Sequence, residues 1–268
     1  MQIATMTDVA ESPAKVCGNG RGALIVNADD WGRDPDTTDK AADCLARGCV
    51  SSVSAMVFMQ DSERAAVLAR ERKIDCGLHL NFTIGYSAGS VASIIEHQNR
   101  VAVYLQRNRL SLIFYNPSLA NSFEYIMKAQ IDEYRRLYGT DPKRFDGHHH
   151  MHLCANVVRG KLLPERTVVR RNFSFAAGEK SWVNRFYRKM LDKRLRRRHK
   201  LVDFLFPLAP VEETDRLERI FLLAQRFVVE LETHPINPDE YSFLMRNESL
   251  NRADVPLAHA FITASESE

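Results

Sequence analysis

The sequence predicts a parallel α/β fold with its functional groups gathered at one end of the sheet. Short apolar runs alternate with helical patterns from about residue 22 to residue 235, as a parallel sheet with helical crossovers requires. Several of those runs finish on acids or histidines, namely Asp29-Asp30, His79, His148 and His234. In parallel β/α folds active groups collect at the carboxyl ends of the strands, so these placements point to one shared site.

The elements follow in order. Residues 1–21 are polar and without period, and read as a flexible extension ahead of a single domain over 22–268. Ala23 to Val26 is a buried strand leading into Asn27-Ala28-Asp29-Asp30, and the turn residues Gly32, Asp34 and Pro35 precede a helix from about Asp36 to Arg47. Ser51 to Phe58 reads as a strand, Ser62 to Arg72 as a helix, and Ile74 to Phe82 as a third strand carrying His79. The interval from Thr83 to Ala120 has weak periodicity and reads as a long insertion or lid with some local helix. A clear helix from Ser122 to Tyr138 is ended by Gly139 and Pro142, and Lys143 to His148 is the fourth strand. Val157 to Leu163 reads as a helix, Thr167 to Phe175 as a strand, Trp182 to His199 as a basic helix and Leu201 to Phe206 as a strand. Thr214 to Arg226 is helical, and Phe227 to Leu231 is a strand leading into Glu232-Thr233-His234-Pro235.

Composition narrows the function class. With 268 residues, 45% hydrophobic and 26% charged, the chain can bury a substantial core. No run approaches the roughly 20 apolar residues of a spanning helix, and the first 21 residues lack a signal-peptide core, so the expected location is the cytoplasm. The five cysteines show no CxxC pairing, which argues against a disulfide framework and a zinc ribbon. A net charge of +3 carries no global nucleic-acid signal, and nucleic acid is not an expected partner.

Two adjacent carboxylates, Asp29 and Asp30, together with the run Asp146-Gly147-His148-His149-His150-Met151-His152, are the ingredients for a divalent cation beside a general base. Strand alternation would put Asp146, His148 and His150 on one face and His149 on the other, so the run should supply one or two ligands. Taken singly the same residues also read as a helix cap, a buried histidine and a surface metal scavenger.

The ordered set of motifs resembles the YdjC-like carbohydrate deacetylases, which include chitooligosaccharide and hopanoid-lipid deacetylases. Leu24-Ile25-Val26-Asn27-Ala28-Asp29-Asp30-Trp31-Gly32 is similar to the family's opening signature, Gly77-Leu78-His79-Leu80-Asn81-Phe82-Thr83 to its second element, Asp146 to His152 to its third, and Glu230-Leu231-Glu232-Thr233-His234-Pro235 to its closing one. The resemblance implies a distorted, incomplete (β/α) barrel. It implies Asp30, His79 and His148 as metal ligands, Asp29 as general base, His234 as general acid, and Mg²⁺ as the cation. The donor set of one carboxylate and two imidazoles suits Zn²⁺ on softness alone. Arg170, or equally Arg171, could orient Asp29.

The activity so implied is metal-dependent removal of an N-acetyl group from an acetylated amino sugar, oligosaccharide or glycolipid. Another metal-dependent hydrolase such as a phosphoesterase, or a non-catalytic carbohydrate- or metal-binding protein, are the alternatives. Two stretches depart from the resemblance. Residues 85–120 match nothing in it, and Arg185 to Lys200 carries nine Arg and Lys against the single acid Asp192. As a helix, 182–200 would line Trp182, Phe186, Met190 and Leu191 along one side, and either packs on its own domain or holds the mouth of the barrel against an anionic membrane. Oligomeric state is open.

Overall fold

The computed structural model describes residues 22–87, 91–175, 178–212, 214–246, 250 and 256–261. The extension expected over residues 1–21 lies outside them. Seven strands form one parallel sheet: β1 (Ala23–Trp31), β2 (Ser52–Ala55), β3 (Cys76–Leu80), β4 (Arg144–Gly147), β5 (Val168–Val169), β6 (Phe204–Pro207) and β7 (Val228–Thr233). Their order is β5-β4-β3-β2-β1-β7-β6, so the first strand lies inside the sheet and the last, β7, pairs with it. Among the described residues eight α-helices accompany them: α1 (Pro35–Ala46), α2 (Ser62–Arg72), α3 (Ala92–Arg107), α4 (Ala120–Tyr138), α5 (Ala155–Gly160), α6 (Trp182–Leu195), α7 (Thr214–Ala224) and α8 (Pro238–Arg246).

The sheet is curled into a distorted, incomplete barrel. In a flat sheet four strand spacings would separate β5 from β1 by roughly 19 Å, yet the Arg170 guanidinium just beyond β5 lies 2.6 Å from Asp29 on β1. The edge strands β5 and β6 face each other across a seam. Ser174 N donates to Leu205 O across it, and Val169 N donates to Lys200 O. The seam explains why the strand expected over Thr167–Phe175 shrinks to two residues: Arg170 N still donates to Phe145 O on β4, while Ser174 has turned to β6.

The central strand is buried along its whole length, with Leu24, Ile25, Val26 and Ala28 at 0% exposure. It continues through the acid pair where the sequence pattern stops at Val26. The expected lid is largely a 16-residue helix, α3, which buries Val101, Ala102 and Leu105 against α4. α6 packs by Leu191, Asp192 and Leu195. Of the apolar side expected for it only Leu191 turns inward; Trp182, Phe186 and Met190 are 77%, 63% and 54% exposed. The reason is Asp192: it takes two hydrogen bonds from Arg171 and two from Asn172, which fixes the inward face of the helix around an acid.

Candidate active site

A backbone irregularity brings the acid pair to one place. Ala28 is in register with Val53 and Trp31 with Ala55, so β1 holds one more residue than β2 over this interval. The extra residue is accommodated at Asp30, whose φ is +66°. Regular alternation would point adjacent side chains to opposite faces, and a bulge with one left-handed residue re-aims them. Asp tolerates that conformation better than most residues. As a result His79 reaches both acids, with Nδ1 3.9 Å from Asp29 and Nε2 3.3 Å from Asp30.

His79, near the end of β3, donates Nδ1–H to Asp146 Oδ1 at 2.8 Å when in that tautomer. Its other nitrogen, Nε2, is buried and has no hydrogen-bond partner. An imidazole fixed by a carboxylate on one nitrogen and bare on the other is the arrangement of a metal-ligating histidine. His148 Nδ1 lies 2.9 Å from Asp30 Oδ1, and ligand atoms of Asp30, His79 and His148 all lie within 4.8 Å of one another. The residues therefore fit a divalent cation: one carboxylate, two imidazoles, an orphaned nitrogen aimed inward. Arg33 closes the far side of Asp30 at 2.7 Å. Burial opposes the charge on Asp30, but the hydrogen bond with His148 and the close approach of the His79 ring hold it well below the usual carboxylate range.

The histidine run is not a strand. β4 stops at Gly147, and residues 148–153 turn tightly, with His149 and His150 at φ +54° and +56°. A Cβ on residue 147 would sit 3.0 Å from Leu80 O and 3.2 Å from His152 Cβ, so glycine lets the turn lie flat on β3. The four imidazoles consequently meet different partners, although the His148 and His149 rings lie 4.0 Å apart, and alternation, which placed His150 beside His148, does not apply. His148 joins the candidate metal cluster. His149 is exposed and 3.4 Å from Thr83 Oγ1, His150 Nε2 is 3.2 Å from Glu232, and His152 meets Arg170 O at 3.0 Å. Burial, helped by the nearby His150, pushes His152 down to about 3, so it stays neutral.

Arg170 is the hub of a second cluster, and it is Arg170 rather than Arg171 that holds Asp29. Its guanidinium donates to both oxygens of Asp29 at 2.6 and 2.7 Å, to Glu230 at 2.8 Å and to Glu232 at 3.1 Å, and lies 3.2 Å from Asp146. Arg171 faces the other way, into Asp192. Ionised carboxylate oxygens each accept more than one hydrogen bond, so Asp29 keeps acceptor capacity beyond Arg170. Asn27 Nδ2 adds a bond to Asp29 at 2.8 Å and another to Ser54, whose hydroxyl donates to Asp146. His234 follows β7. Its backbone N–H is held by Glu240 of α8 at 2.8 Å, and its ring atoms, Asp29 and Glu232 form a second group with all ligand atoms within 4.8 Å of one another.

The sequence gives Glu230 and Glu232 no role, and gives Asp146 and His150 only a place on the same face as His148 in a run expected to supply one or two ligands. Asp146 had one usable signal, its place two residues before His148 on a strand ending beside His79. The two glutamates had a weaker one, alternate polar positions in a strand that should be buried on both faces.

Four carboxylates around one guanidinium leave an excess of negative charge, and Glu230 relieves it. Burial, with Arg170 opposing and Asp146 and Asp29 adding to it, pushes Glu230 up to about 7. Its folded pKa is thus above the ordinary 4.5. The fold holds a proton that the unfolded chain has released, so stability falls as pH rises between those values and is level above them. Glu230→Gln has no such loss. In chelator-treated protein it should gain on wild type by on the order of 2–3 kcal/mol between pH 5 and pH 8. Urea unfolding at the two pH values checks this, and an unchanged difference between the proteins would refute it.

The geometry can be set beside known proteins. The model of the YdjC-like protein family matches residues 23–252. The chain belongs to the YdjC-like family. A carbohydrate deacetylase of Mus musculus is 32% identical over 139 residues, 51% of this chain and 44% of the relative. A chitooligosaccharide deacetylase of Serratia marcescens is 30% identical over 135 residues, 48% of this chain and 50% of the relative. The chain thus spans about half the length of the curated relatives it matches. A solved structure from Enterococcus faecalis V583, described as a cellobiose-phosphate cleavage protein, superposes with a TM-score of 0.62 over 89% of this chain and 97% of that one. At 18% identity that likeness shows the fold of this YdjC-like chain.

Proposed function

We propose that this YdjC-like protein is a metal-dependent N-deacetylase of an acetylated amino sugar, oligosaccharide or glycolipid. The observation that carries the proposal is the separation of two carboxylates adjacent in sequence: Asp30 meets two histidines, while Asp29 is held by an arginine beside a third. Asp30, His79 and His148 would hold the cation. Mg²⁺ is the choice on family resemblance and Zn²⁺ the choice on donor softness. A divalent cation there makes water more acidic and offsets the negative charge that develops on the acetyl oxygen.

The rest is done by the chain's own groups. Asp29, fixed by both Arg170 nitrogens, takes a proton from the attacking water. Arg170 is a positioning residue, held in turn by Glu230 and Glu232. His234, near Asp29 and Glu232, protonates the departing amine, a step that amide cleavage needs because a free amide anion is too basic to leave. His234→Ala should therefore lose about 100-fold in kcat on an N-acetyl sugar. It should lose much less on an aryl acetate, whose leaving group needs no proton. Equal losses on the two substrates would remove His234 from the role.

An anionic membrane surface is a further partner in this reading, supported by the exposed Trp182, Val183, Phe186 and Met190 of α6 beside its cations. Among the described residues no helix is long and apolar enough to cross a membrane.

Mass-spectrometric screening tests the chemistry. N-acetylated amino sugars, chitooligosaccharides, glycolipids and sugar phosphates would be incubated with chelated and with metal-replenished protein. Exchange of one acetyl group for hydrogen only in the replenished samples is the expected result. Phosphate release without acetyl loss would make the protein a phosphoesterase, and binding without turnover a carbohydrate-binding protein.

A further inference from the structure

α5 and the second half of α6 enclose a groove of about 910 Å³ on the flank of the barrel, within the size range of small-molecule sites. Its floor is apolar: Val157, Leu163 and Leu195 are sealed at 0–2% exposure, and Leu153, Val158 and Leu191 show 8–9%. Its rim is cationic: Arg159, Lys161, Lys193, Arg194, Arg197 and Arg198 line it, and no acid does so among the described residues. Glu165, outside the lining, pairs with Arg198 at 2.9 Å. Met190 and Ile113, 54% and 46% exposed, carry the apolar floor out to the surface. His199 also lines the groove, is nine-tenths buried, and has a ring nitrogen, Nδ1, with no hydrogen-bond partner.

The end of the groove lined by Arg198 and His199 lies away from the mouth of the barrel. Arg198 O accepts from Arg166 N and Lys200 N donates to Thr167 O, at the amino end of β5, whereas Asp30, His79 and His148 stand at the carboxyl ends of their strands. The cations of 194–198 therefore do not ring the mouth, as the sequence alone suggested. An apolar floor inside a one-sign rim concentrates positive potential over a surface that water wets poorly. A sugar or a free phosphate would use only one of those two properties. A molecule with an anionic head and a hydrocarbon tail uses both.

We propose that this groove binds one anionic membrane lipid, its acyl chain against Leu153, Val158, Leu191 and Met190 and its headgroup phosphate on Arg194 and Arg197. The lipid tethers the barrel to a bilayer by its flank and leaves the carboxyl ends of the strands open to substrate. The inference rests on the membrane-contact part of the proposed function and is independent of the hydrolytic part.

Two binding measurements test it on the full chain. One is co-sedimentation with phosphatidylcholine vesicles with and without phosphatidylglycerol. The other is calorimetric titration with sub-micellar short-chain phosphatidylglycerol, with short-chain phosphatidylcholine, and with inorganic phosphate. Binding to the anionic vesicles, and one short-chain phosphatidylglycerol per chain, are expected. R194Q/R197Q should weaken both at least about tenfold, and R185Q/K189Q, on the same helix outside the groove, should weaken them clearly less. Met190→Glu, a change at an exposed position, should weaken the short-chain lipid as well. His79→Ala should bind vesicles as wild type does, so loss of hydrolysis and loss of lipid binding are separate results. Equal losses in the two double variants, phosphate binding as tightly as the lipid, or an RNA oligonucleotide displacing the protein from vesicles at lower concentration than the lipid would overturn the proposal.

Discussion

His79→Ala and His148→Ala will each abolish metal-dependent turnover while the protein stays folded. Each removes one of two imidazoles in a group of three residues that could hold a metal ion. The loss of metal affinity should exceed the roughly 10–100-fold that follows removal of a ligand's outer hydrogen-bond partner. Asp146→Asn supplies that smaller step as an internal scale, because Asp146 would act on a cation held by Asp30, His79 and His148 through His79 Nδ1. Folding should survive, since Asp146 keeps Arg170 and Ser54 when His79 is gone. Metal content after dialysis, far-UV circular dichroism and acetate release are the three readouts. Full activity of either alanine variant in chelator-treated buffer would sink the ligand assignment.

Asp29→Asn will keep its metal and lose its rate. The amide preserves size and can still accept from Arg170 through its oxygen, but it cannot take a proton. The expected loss in kcat is about 10²–10⁴-fold, with KM little changed. A variant that simply loosened the site would raise KM and release metal. Asp29→Asn also weakens one of the two Arg170 bonds to that side chain, so a lower unfolding midpoint is expected alongside the kinetic effect. If Asp29→Asn loses metal and Asp30→Asn retains it, the two roles must be exchanged.

Much of this site was legible because it sits where parallel strands end. Asp29-Asp30, His79, His148 and His234 each close an apolar run, and the fold brings them to the same end of the sheet. What was not legible depended on backbone turns that carry no residue signature. The bulge and the left-handed φ at Asp30 occur with no glycine to announce them. The turn through His149 and His150 defeated an alternation argument that would hold only if β4 had continued.

α3 was obscured for a different reason. Its inward face mixes Val101, Ala102 and Leu105 with buried Gln98, while Ile95 and Val103 are 40% and 71% exposed, so the apolar period is blurred at both faces. Gln98 is tolerated because its side chain donates to Ile84 O at 2.9 Å. The role of Arg170 could not be chosen over Arg171 from sequence, since both are buried cations at a strand end. Only the curl of the sheet, which turns Arg170 toward β1 and Arg171 toward α6, separates them.

The described residues offer more than one metal-sized cluster at the mouth of the barrel. Asp29, Glu232 and His234 meet the same spacing as Asp30, His79 and His148. Asp29 is left to act as a base only if the cation chooses the second of these. Anomalous diffraction from a crystal soaked in Zn²⁺ or Mn²⁺ decides the point. One peak is expected within coordination distance of Asp30, His79 Nε2 and His148, with Asp29 still on Arg170; a peak among Asp29, Glu232 and His234 instead would contradict the role of Asp29 as base.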